Sequence, residues 1–165
     1  MARNKIEMIL NIHQATVKPL YDVFDGIPDS QLNWKPAPES RSINEIMCHL
    51  IRVDNYFLKK LAQQPEAEDP KNGSAADVLA ALKKVHSQIS SLVNSCSDDS
   101  ELFEKSKIEN AKDTDTIYEH IVHSCQHNLY HLAQMIYLRR AHDRSWKSPI
   151  DDWDKATRII AEYLK

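Results

Sequence analysis

Four of the chain's eight histidines fall within residues 120–140, HIVHSCQHNLYHLAQMIYLRR. At about 100° per residue, with His120 set to zero, His123, His127 and His131 lie near −60°, −20° and +20°, on one stripe of a helix. Ile117, Ile121, Cys125, Leu129, Leu132, Met135 and Ile136 fill an adjoining arc from roughly 60° to 180°. The histidines therefore border an apolar face. His127 and His131 are one turn apart and can aim two imidazoles at one point, as a metal site on a helix requires. Neutral imidazole suits zinc, nickel and other borderline divalent ions, with iron or manganese as further candidates. Three such ligands leave a coordination position open, where water or a thiol can be held deprotonated near neutral pH.

A third imidazole is available on another predicted helix. Ser42-Ile43-Asn44-Glu45 reads as a capping box, in which Ser42 satisfies the Glu45 amide and the Glu45 side chain reaches back. Ile43, Ile46, Leu50, Val53, Phe57 and Leu61 then form the inward face. His49 lies at its edge, with Glu45 and Tyr56 close in angle as candidates for orienting a bound thiol. Cys48, Cys96 and Cys125 show no CxxC spacing, and Cys48 and Cys125 point away from the histidines on their own helices, so the three read as reduced thiols rather than ligands. HExxH is absent, as is any pair of Glu-x-x-His segments of the di-iron type.

The elements that must position these groups are helical. Only two glycines and sustained 3.6-residue periodicity predict an all-α protein, and 165 residues fit a single domain spanning 1–165. The first helix is predicted over 4–25, with Ile6, Leu10, His13, Val17, Leu20 and Phe24 inward, His13 as a core histidine and Pro19 a candidate kink. Residues 26–41 read as a long connection, with Trp34 packed as a lid over one bundle end. Ser74 caps a third helix whose inward face is Val78, Leu82, Val85, Ile89 and Leu92, and His86 is assigned to the surface or core margin. A second long connection, 95–115, is anchored by Leu102 and Phe103. Thr116 caps the fourth helix, and a fifth is predicted from Pro149, capped by Ser148. Long, shorter and long connections favour an up-up-down-down four-helix bundle that brings the second and fourth helices together.

Composition narrows the partners. A formal charge of −3 and a pI near 6.2 argue against nucleic acid or an anionic membrane. No signal-like segment or run of 18 apolar residues is present, so a cytoplasmic protein is expected. A homodimer is expected because the apolar arc of the histidine helix is broad and its other flank carries Tyr118, Val122 and Ile136.

LNWKPAPESRSINEIMCHLIRVDNYFL, followed far downstream by HNLYHLAQMIYLRR, resembles the DinB-like (DinB/YfiT) superfamily of four-helix metalloproteins. The most specific parts are the histidine after the Ser-Ile-x-Glu helix start and the His-x-x-x-His-x-x-Gln segment. Gln126 stands where an acidic residue is common, and Ala133 where glycine is common. The resemblance implies a divalent-metal triad of His49, His127 and His131, the residues the helical wheels favour. It also implies, for some members, transfer of a low-molecular-weight thiol to a small-molecule substrate. A metal-dependent hydrolase and a non-catalytic stress-response module in which the ion ties two helices are the alternatives.

Overall fold

The computed structural model describes residues 4–62, 70–71, 73–105 and 116–150. Among them the regular elements are all helical. The helices are α1 (Asn4–Phe24), α2 (Asp29–Leu32), α3 (Ile43–Ala62), α4 (Ala75–Asn94) and α5 (Ile117–His142), with a single 3-10 turn at Glu101–Phe103 before α5. Ser74 and Asp77 form a full capping box at α4, and Thr116 accepts the Glu119 amide at α5. The box expected at α3 also forms, through Ser42 Oγ with the Glu45 amide at 3.2 Å and Glu45 Oε2 with the Ser42 amide at 2.9 Å. Each satisfies donors that the first turn of a helix leaves over. α1 runs through Pro19 without a break. The fifth predicted helix lies outside the described residues, apart from the Ile150 amide donating to Ser148 Oγ at 3.2 Å.

The four long helices form a ring in which α5 touches α1 and α3, and α4 touches α3 and α1. Cross-helix contacts fix their directions. Phe57 packs on His120, Asp54 meets Ser124 and His49 meets His131, so α3 and α5 are antiparallel. Asn44 bonds the Lys71 carbonyl just before α4, and Asp54 approaches His86 within it, so α3 and α4 run the same way. Lys5 and Tyr118 both stack on Phe103 at one end, while Arg139 reaches the Val23 carbonyl at the other, so α1 and α5 are parallel. The order is therefore up-down-down-up, and the expected up-up-down-down order is corrected. Length was a poor guide to crossing. Residues 25–42 are long but folded on themselves through α2, and Asn33 bonds Asn44 at the end where α1 stops and α3 starts.

The core is drawn from every long helix: Ile6, Leu20 and Phe24, then Ile46, Leu50 and Ile51, then Leu82 and Val85, then Leu132 and Met135. The buried face of α3 is rotated from the expected one. Met47, Ile51 and Leu58 are buried, whereas Val53 and Phe57 are only half-buried, because α3 divides its contacts between α4 and α5. Trp34 packs against the core and edge-on to His142, over the bundle end as expected. Tyr118, Val122 and Ile136, the expected dimer face, pack half-buried on the chain's own core. No helix among the described residues is long and apolar enough to cross a membrane.

Candidate metal centre

His49 of α3 and His127 and His131 of α5 converge. His127 Nε2 lies 3.1 Å from His49 Nε2 and 2.9 Å from His131 Nε2. One ligand atom from each ring lies within 4.8 Å of the other two. The rings are close to perpendicular, at 84°, 81° and 70° for the three pairs. Helix geometry accounts for this. His127 and His131 are stacked by the four-residue spacing, and antiparallel α3 brings His49 level with them. His131 is buried, while His49 and His127 are half-buried, so the group opens toward one side.

The donor set fits a divalent ion. The Nδ1–H of His131 donates to Gln134 Oε1 at 2.7 Å, which leaves its Nε2 lone pair aimed at the other two rings. Burial lowers the pKa of all three histidines, and their mutual repulsion adds to it for His49 and His127. His127 is pushed down to about 4. Nearby Arg41 depresses His49 and His131 further. Ligands must be neutral to bind, so the pH at which protons displace a metal moves below the ordinary imidazole value of about 6.5.

The other histidines on the stripe take different places. His120 is buried, with its ring 4.2 Å from that of Phe57. His123 is exposed, with ring contacts to Phe57 and His127. Neither joins the three. Glu45 is occupied by Lys35 and by its cap, and exposed Tyr56 lies against Phe57 and Lys60. The three cysteines are buried thiols outside any disulfide among the described residues.

A second polar group, behind the triad, escaped the sequence reading. His86 is not at the surface but 3 % exposed, and its Nδ1 accepts from Tyr21 Oη at 2.8 Å. Its Nε2 lies 3.1 Å from Asp54 Oδ2, off hydrogen-bond alignment, and Ser124 Oγ donates to Asp54 Oδ1 at 3.2 Å. His13 stands edge-on to His86 at 5.4 Å, buried as expected. All four long helices contribute. The signal was available: relative to Ile43, Asp54 falls at about 20°, in the middle of the apolar arc of its helix. An acid there has to find partners inside.

His13 carries a consequence for stability. Burial, with repulsion from His86 next and attraction to Asp54 opposing, lowers its pKa from 6.5 to about 4. The unfolded chain then binds the proton first, so stability is complete above pH 6.5 and is lost as pH falls toward 4. At 1.36 kcal/mol per unit, His13 contributes a loss of about 3 kcal/mol across that window. The triad histidines act with the same sign. Urea denaturation of metal-free protein at pH 7 and pH 4.5 is expected to show a shallower pH dependence in His13→Leu than in the parent, and equal slopes would refute the assignment.

An all-α bundle with three imidazole nitrogens converging from two of its helices defines the class: a helical-bundle protein with a candidate metal centre. A family model described as the DinB superfamily matches residues 14–135, most of the chain, and the protein belongs to that superfamily. No curated protein and no solved structure matches it.

Proposed function

We propose that this protein is a metal-dependent enzyme in which His49, His127 and His131 hold one divalent ion, zinc or nickel, and that it transfers a low-molecular-weight thiol to a carbon electrophile. The observation that carries the reading is the convergence of three lowered-pKa imidazoles on a point that is open to one side. Three protein ligands, rather than the four of a closed structural site, are the set associated with reactive zinc. A bound ion would supply Lewis acidity and stabilise the deprotonated form of a thiol or water.

The chain's own groups prepare that site. Gln134 fixes the His131 tautomer, burial keeps the rings neutral, and the cation of Arg41 favours an anion beside His49 and His131. In the reaction, the thiol proton passes to solvent and the sulfur forms a carbon–sulfur bond. Chloride leaves with its electron pair, or an epoxide carbon–oxygen bond opens and its oxygen takes a proton. A thiolate is a better nucleophile toward such carbon than oxygen anions of similar basicity, which favours transfer over hydrolysis.

The test supplies metal-loaded protein with glutathione or bacillithiol plus a chlorinated aromatic or an epoxide. Turnover is expected to fall at least tenfold in His131→Ala. Equal rates in the two proteins, with metal-dependent cleavage of simple esters or amides instead, would replace the transferase reading with a hydrolase. Absence of both activities from protein that holds its ion would leave the non-catalytic reading.

A further inference from the structure

Asp54 is the only buried carboxylate among the described residues, 2 % exposed in the middle of the apolar arc of α3. A carboxylate in that place costs desolvation free energy that a leucine would not. Its contacts offset only part of that cost. Ser124 Oγ donates to Oδ1 at 3.2 Å, whereas Oδ2, 3.1 Å from His86 Nε2 but off alignment, has no hydrogen bond among the described residues. Nor does Asp54 close into a ligand group with His13 and His86. His49, His127 and His131 are the one set that does so among the described residues.

Helix spacing sets the carboxylate behind that set. Ser124, which holds it, precedes His127 by three residues, about 4.5 Å along α5. Asp54 itself follows His49 by five residues, about 7.5 Å along α3 and about 140° around it, so it faces inward where His49 stands at the edge. The two displacements run the same way because α3 and α5 are antiparallel. The charge is felt at the triad. At His127, where burial and then the neighbouring imidazoles lower the pKa, Asp54 is the one group acting the other way. Arg41, the cation that acts on His49 and His131, is by contrast exposed. The site is therefore polarised, with a cation on the solvent side and a carboxylate in the interior.

We propose that Asp54 is the buried counter-charge of the metal centre: without touching the ion, its carboxylate raises the affinity of the three imidazoles for a divalent cation and favours the higher charge state of an ion that has two. This rests on the metal-binding part of the reading above and is independent of thiol transfer. Three neutral imidazoles leave a divalent ion with its full charge. In the interior an anion one or two helical turns away still acts on that charge, because neither bulk water nor salt screens it fully.

The experiment compares the full-length parent with Asp54→Asn, which removes the charge, and Ser124→Ala, which removes the hydrogen bond and leaves the charge. Zinc affinity is read by chelator competition at pH 7.5. Copper-loaded protein gives a Cu(II)/Cu(I) potential, and nitrogen hyperfine structure in the Cu(II) EPR spectrum verifies that the ion sits on imidazoles. In Asp54→Asn zinc affinity is expected to fall about tenfold. A fixed charge acts in proportion to the charge on the ion, so Cu(I) loses about threefold where Cu(II) loses about tenfold, and the potential rises by about 30 mV. Ser124→Ala is expected to keep the parent's affinity and potential. If Asp54→Asn is not helical by circular dichroism, the pair Asp54→Leu and His86→Leu removes the same charge while exchanging buried polar partners for apolar ones. Parent-like affinity and potential in the folded charge-removed protein would overturn the proposal. So would an affinity loss shared equally by Ser124→Ala with the potential unmoved, which would leave Asp54 a structural tie between helices. Absence of an ion from the imidazoles of the parent would refute the metal reading and this proposal together, so the two failures are told apart by the parent alone.

Discussion

Asp54→Ala is expected to destabilise the metal-free protein by about 3 kcal/mol or more, because it strips buried polar groups of their partner and leaves a cavity. Ser124 Oγ loses the acceptor at 3.2 Å, and His86 Nε2 loses the carboxylate oxygen at 3.1 Å. Both residues are almost fully buried, so water cannot replace what is removed. The instructive comparison is Asp54→Asn. Tyr21 holds its proton, since burial raises its pKa well above the ordinary phenol value, and its hydroxyl is therefore able to donate to His86 Nδ1. With Nδ1 accepting, the ring proton is on Nε2, 3.1 Å from Asp54 Oδ2 but off hydrogen-bond alignment. Asparagine can still accept from Ser124, but its Nδ2 would present a second donor to His86. It is therefore expected to cost nearly as much as alanine in urea denaturation. A silent Asp54→Asn would show that His86 carries its proton on the other nitrogen, and a silent Asp54→Ala would remove the network from the account of stability.

That network marks where sequence patterning gave out. Helix starts were legible because Ser42, Ser74 and Thr116 declare themselves locally, through a cap and a partner three residues on. The convergence of His49, His127 and His131 was legible because two of them share a helix and the third sits at the edge of an apolar arc. What joins α1, α3, α4 and α5 inside is a matter of tertiary contact. His86 borders its own helix's apolar face, and only the arrival of Asp54 from α3 and Tyr21 from α1 makes it a core residue. Helix direction failed for a related reason. A connection's length does not say whether it crosses the bundle, because α2 and the Asn33–Asn44 bond fold residues 25–42 back at one end. Asn128, likewise fully buried on α5, has no hydrogen-bond partner for either amide atom among the described residues.

The other large effect concerns metal. Protein purified without a histidine tag is expected to contain one divalent ion per chain, and His131→Ala is expected to weaken its binding by more than about 100-fold, beyond the 10- to 100-fold typical of losing an outer hydrogen-bond partner. His131 is the most buried of the three and touches His127 Nε2 at 2.9 Å, so no water-exposed substitute can take its position. Gln134→Ala supplies the graded control. It leaves all three imidazoles in place but frees the His131 ring to rotate, and is expected to cost about tenfold. His142→Ala is the silent control, since His142 is exposed and packs against Trp34 rather than the triad. His86 is unsuitable for that purpose, because its removal opens the buried Asp54 network and confuses stability with binding. Competition with a chromogenic chelator at pH 7.5 measures each constant, and circular dichroism confirms that the variants remain helical. The order expected is His131→Ala far weaker than Gln134→Ala, with His142→Ala equal to the parent. If His131→Ala and His142→Ala retain the ion equally, the three converging imidazoles are a polar border of the core and the metal sits elsewhere.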